Sequence, residues 1–159
     1  MPLEPDQQLY LTVAAGFVEL GMFLDAEAAL DDIDAFCRGL PEVLAVRMKI
    51  YQALERWELM QAAAKRMVEY DPDDAQWWVL WAQATRHSSS VEAARLILVN
   101  ALERHAHDAG IHFNLACYEC QLGNIDGAKE HLKTCFDFDP SMRLKALVHE
   151  DLQPMWESL

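Results

Sequence analysis

Two aspartate–proline marks stand 68 positions apart, at Tyr70-Asp71-Pro72-Asp73-Asp74 and Phe138-Asp139-Pro140-Ser141-Met142. Their midpoint, Ala106, lies in Ala101-Leu102-Glu103-Arg104-His105-Ala106-His107-Asp108, a stretch of the same shape with alanine in place of proline. Half of that distance is a 34-residue ruler, which divides the chain without gaps into 7–40, 41–74, 75–108 and 109–142. A period of this length marks a chain built by stacking one supersecondary unit, because a single unit cannot bury its apolar face alone.

Stacked on the ruler, the segments align in columns. Ala14, Met48, Ala82 and Ala116 form one, and Ala26, Met60, Ala94 and Ala128 lie twelve residues later. The turn column between them is Gly21, Glu55, Ser89 and Gly123, and bulky positions follow at Leu30, Ala64, Leu98 and Leu132. Each segment reads as two helices. In the fourth, Ile111, Leu115, Tyr118 and Leu122 recur at the three- and four-residue spacing of one helical face. Gly123-Asn124 stops that helix, and a second runs from about 125 to Phe138, where Asp139-Pro140 ends it. Small residues where the two helices cross let the backbones approach closely.

These columns resemble the tetratricopeptide repeat, a 34-residue helix–turn–helix unit, over 136 of 159 residues. Segments 7–40 and 109–142 carry the pattern through Ala14, Gly21, Ala26 and Leu30, and through Leu115, Ala116, Gly123, Ala128 and Pro140. Segment 75–108 carries it through Trp78, Ala82, Ala94, Leu98 and Ala101. Segment 41–74 departs, with Met48 and Met60 for alanine, Arg47 for leucine, and Ala64 where a large residue is usual, so that volumes are exchanged. The resemblance implies an all-α solenoid of four repeats after an N-terminal extension, 1–6. A C-terminal capping helix and tail, 143–159, would close the apolar end. The capping helix is expected over 142–150, with Leu152, Met155, Trp156 and Leu159 folded back as a docked turn. The alternative puts the tail in the binding groove or on a partner.

In the family, the first helix of each unit lines a concave groove. Carried over residue by residue, the partner-binding groove comprises Leu11, Ala15, Val18, Lys49, Gln52, Val79, Gln83, Arg86, Phe113, Asn114 and Cys117. Family members that clamp a chaperone's C-terminal carboxylate use lysine and asparagine where this chain has Leu11 and Ala15, so no such clamp forms. The mixture of apolar anchors with amides and a few bases suits an extended or helical segment of a partner. The implied function is protein–protein interaction without catalysis or cofactor. The alternatives are a small secretion or assembly chaperone holding an apolar client segment, and a thiol or metal module on Cys117 and Cys120.

Composition narrows the partners. With 26 acids against 13 bases the net charge is −13, which argues against nucleic acid and anionic lipid. No apolar run approaches the ~20 residues of a membrane span. The start, Met1-Pro2-Leu3-Glu4-Pro5-Asp6, has no secretion-signal pattern, so a cytoplasmic protein with reduced cysteines is expected. Self-association stays open, since an apolar groove accepts a neighbour's tail. The run Asp25, Glu27, Asp31, Asp32 and Asp34 reads as a solvated helix face or a dock for a basic partner.

Cys117-Tyr118-Glu119-Cys120 places two thiols on one helical face. A structural zinc would need two more ligands, for which His87 and His112 are the candidates; the simpler reading is two small groove residues, with no metal. No serine or cysteine has an evident histidine and acid partnership. Trp78 and Trp81 are expected in the core, with Trp77 partly exposed.

Overall fold

A computed structural model describes residues 2–159. The chain folds as helices only, with no strand among the described residues. They are α1 (Pro5–Glu19), α2 (Phe23–Asp31), α3 (Pro41–Ala53), α4 (Trp57–Tyr70), α5 (Ala75–Ser88), α6 (Val91–Ala101), α7 (Ala109–Gln121), α8 (Ile125–Phe138) and α9 (Met142–Ala146). A 3₁₀ helix, Glu150–Ser158, ends the chain. Two compact units result, Met1–Asp71 and Pro72–Leu159.

Local chemistry accounts for the helix ends. Pro5 and Pro41 open α1 and α3, where the missing N–H costs nothing and the fixed φ is already helical. Asp74, Ser90, Asp108 and Asn124 each accept a first-turn N–H with the side chain, capping α5 to α8. Three of the four turn-column residues take the left-handed conformation, with φ of +72° at Gly21, +55° at Glu55 and +81° at Gly123. Each is followed by an N–H that reaches five residues back, from Met22 to Phe17, Arg56 to Tyr51 and Asn124 to Glu119. Ser89 differs, with φ −137° and an ordinary helical bond to Thr85, so α5 runs on to Ser88 before the chain turns. Glu55 is a charged side chain in a glycine's conformation. Glu55→Gly is expected to raise the stability of the first unit by about 0.5–1 kcal/mol, read from the urea midpoint.

In the first unit α1 packs on α2, α3 on α4, and α1 and α2 on α3. Leu11, Ala14, Ala26, Leu30, Ile33, Val43 and Ile50 form its core. Both departures of segment 41–74 are absorbed. Met48, Met60 and Ala64 are all buried, so a long flexible side chain and a small one have traded places. Arg47 reaches the C-terminal end of α2, donating to the Leu30 carbonyl and pairing with Asp31 at 3.2 Å, where a cation meets the negative end of the helix. The acidic run is shared out accordingly: Asp31 pairs with Arg47 and Glu27 with Arg56, while α2 ends before Asp32 and Asp34.

In the second unit α5 packs on α6, α7 on α8, and α5, α6, α8, α9 and the 3₁₀ tail all touch α7. Ala82, Ala94, Ala116 and Ala128 are fully buried, as expected at helix crossings. Trp78 and Trp81 are half-buried against this core and not inside it, since Trp78 Nε1 must reach the Pro72 carbonyl, 2.9 Å away. The expected capping helix is shorter than 142–150. It stops at Ala146, His149 is extended (φ −85°, ψ 119°), and Glu150–Ser158 winds as a 3₁₀ helix containing Pro154.

Candidate functional site

The face carried by the first helix of each pair is not uniformly open. In the first unit Leu11 is buried in the core, Ala15 and Val18 are half-buried, and Lys49 and Gln52 are exposed. In the second unit Val79 and Gln83 are half-buried, and Asn114 returns its amide to the Gly110 carbonyl of its own helix. Phe113 and Cys117, expected as groove residues, are 1% and 2% exposed. The reason is the tail. His149 stands edge-on to the Phe113 ring at 5.4 Å, Lys145 Nζ lies 4.8 Å over its face, and Leu152 and Met155 are buried.

Asp151 anchors this arrangement. Arg86 on α5 grips it with both terminal nitrogens, at 2.7 and 3.1 Å, and Gln121 on α7 donates a third bond of 2.7 Å. A two-pronged guanidinium–carboxylate pair with little water around it is among the stronger charged contacts. Burial works against the charge of Arg86, but the bond and the charge of Asp151 more than offset it. Trp156 Nε1 donates to the Ala146 carbonyl at 3.1 Å, folding the tail against α9.

Beneath the tail lies a cluster that spacing arguments did not assemble. Cys117 Sγ is 3.7 Å from His149 Nδ1, and Asp151 Oδ2 is 3.8 Å from the same nitrogen. Burial, followed by the charge of Asp151, pushes the Cys117 thiol up to about 12 and also raises the Cys120 thiol. Burial raises the Tyr118 phenol as well, and its buried hydroxyl has no hydrogen-bond partner among the described residues. Arg86 lies over that ring, 5.9 Å from its centroid. The arrangement is not a nucleophile–base–orienter relay, which needs thiol and carboxylate on opposite nitrogens of the imidazole.

His112 is engaged elsewhere. Its Nε2–H donates to the Ala106 carbonyl at 2.8 Å, so its Nδ1 accepts from His131 Nδ1–H at 3.0 Å. Burial, then His112 and Arg95, lower the His131 pKa against the opposing pull of Glu119 and Glu130. A folded value below the unfolded ~6.5 means that the unfolded chain takes up the proton first. Stability is therefore full above that unfolded value and falls as the pH drops below it towards the folded one. The urea midpoint is expected to fall between pH 7.5 and 5.5, and to fall less in His131→Gln.

All four cysteines are free. No helix of the described residues is long and apolar enough to cross a membrane. Comparisons with solved structures find a similar fold. MamA of MSR-1 superposes with a TM-score of 0.74 at 18% identity, over 86% of this chain and 78% of that one. A double mutant of MamA RS-1 gives 0.76 at 14% identity, over 88% and 79%. A thermophilic TPR protein of Thermus thermophilus gives 0.68 at 18% identity, over 96% and 82%. The chain has the tetratricopeptide-repeat fold. No protein-family model matches the sequence, and no curated protein matches it by sequence.

Proposed function

We propose that this tetratricopeptide-repeat chain is a non-catalytic scaffold that holds a short segment of a partner protein against the first helices of its pairs. One observation carries the reading: the face of α5 and α7 already holds such a segment, the chain's own tail. There a carboxylate is gripped by Arg86 and Gln121, while apolar Leu152 and Met155 are buried beside it. That is the expected chemistry of a groove ligand, one oriented charge with apolar anchors. The tail covers Arg86, Phe113 and Cys117. The partner then falls to the open equivalents in the first unit, Ala15, Val18, Lys49 and Gln52. An acidic segment with apolar side chains fits the exposed Lys49 of α3 and the half-buried Val18 of α1. A net charge of −13 disfavours nucleic acid and anionic membrane as the target. Free cysteines fit a reducing cytoplasm. A photocrosslinker placed at Gln52 is expected to capture a protein in cells, whereas one at the exposed Glu58 of α4 captures none. Equal capture at both positions refutes the assignment of the face.

A further inference from the structure

Cys117, His149 and Asp151 offer one sulfur, one nitrogen and one oxygen within 4.8 Å of one another. Ligand atoms around a tetrahedral zinc stand roughly 3.3–3.6 Å apart, given bonds of about 2.3 Å to sulfur and about 2.0 Å to nitrogen or oxygen. Two of the three edges, 3.7 and 3.8 Å, are already near that size. Both of them meet at Nδ1 of His149. The three donors stand close enough together to share one cation, whereas a proton relay needs thiol and carboxylate on opposite nitrogens. Cys120, three residues along α7, stands outside this group.

We propose that Cys117, His149 and Asp151 form a zinc site that staples the tail to α7, with solvent as the fourth ligand. The donor set selects the metal. Thiolate with imidazole and one carboxylate suits zinc, whereas magnesium and calcium take oxygen ligands. The backbone supplies the pairing: His149 is extended and Glu150 points to solvent, so His149 and Asp151 reach α7 together. Arg86 and Gln121 hold the Asp151 carboxylate from outside, as outer-shell partners orient a ligand. The orphaned hydroxyl of Tyr118, the residue after Cys117, adds an unsatisfied polar group beside the cluster. On binding, the Cys117 thiol loses its proton to solvent as its sulfur–zinc bond forms. His149 coordinates through the lone pair of Nδ1 with its proton on Nε2, and no group is oxidised or reduced. The site stands independently of the partner reading, since it requires only that the tail dock as it does here.

The test uses the full chain, stripped with a chelator and titrated with Co²⁺ and then Zn²⁺. The expected result is one cobalt per chain with the ligand-field bands and sulfur charge transfer of a tetrahedral thiolate site, displaced by one zinc. Outer-shell partners alone are worth about 10–100-fold in metal affinity, so His149→Gln is expected to weaken zinc by at least about 100-fold. His149 is half-exposed, which spares the fold where Cys117→Ser, in a buried position, endangers it; circular dichroism checks both. Cys37→Ser, in the other unit, is expected to leave affinity unchanged. Absence of tetrahedral cobalt, or zinc affinity equal in wild type and a folded His149→Gln, overturns the proposal.

Discussion

Replacing Arg95 with methionine is expected to cost about 3 kcal/mol of stability, through a charge left behind and not through lost packing. Glu119 is 3% exposed in the last turn of α7. Its carboxylate receives Arg95 Nε on one oxygen and Asn124 Nδ2, at 2.8 Å, on the other. Without Arg95 it keeps one neutral donor, and Asn124 is already committed, its Oδ1 capping α8 at Gly127. A buried carboxylate so placed lacks the cation that offsets its desolvation, which destabilises the helix pair. The double variant Arg95→Met/Glu119→Met removes the charge with its partner and is expected to recover most of the loss. A double variant no more stable than the single one in urea would show that the charge of Glu119 is not the cause.

Leu152→Ala is expected to open the tail. Leu152 is fully buried, and emptying such a site costs about 2–5 kcal/mol when the surroundings cannot collapse. The tail has a cheaper response than global unfolding. It can leave α7 as a unit, so the loss stops at the free energy that holds it there. The measurement is alkylation of Cys117, which is 2% exposed beneath the tail. Labelling is expected to rise by ~30-fold or more, the equivalent of about 2 kcal/mol in opening, while denaturation of the first unit is unchanged. An unchanged rate at Cys117 would mean that the tail does not guard it.

What the sequence made legible was the part that repeats. Two prolines and an alanine set the ruler, and the small columns it defined are buried in all four segments. Its turn column is left-handed in three of four segments, Glu55 included, and only Ser89 departs. Arg47 looked like a defect of segment 41–74, because the column expects leucine. The structure gives it a polar task at the end of α2, which no column could reveal. What stayed hidden depends on the part that does not repeat. His149 and Asp151 reach Cys117 from 32 and 34 residues away, by a reversal of the tail that no periodicity encodes, whereas the sequence alone offers His87 and His112. One signal was available. From Ile111 to Cys120 the polar residues His112, Asn114 and Glu119 are scattered among apolar ones and form no continuous face. A helix without a polar face has neighbours on every side. Read that way, Ile111-His112-Phe113-Asn114-Leu115-Ala116-Cys117 says that the expected groove face of α7 is already covered. The same burial makes Phe113 a poor place for a charge, because Phe113→Glu would destroy the second unit before testing any interface.

The scaffold reading is best tested on the first unit, where the face is open and the side chains carry little of the core. Wild type and a Val18→Lys/Lys49→Glu variant, matched for helix content and urea midpoint, would be used as baits in native lysate with bound proteins quantified by mass spectrometry. A partner held by wild type and depleted at least about tenfold on the variant is the predicted result, the equivalent of losing one anchor of about 1.4 kcal/mol or more. The same proteins bound equally to both would contradict the central claim that this helix face holds the partner.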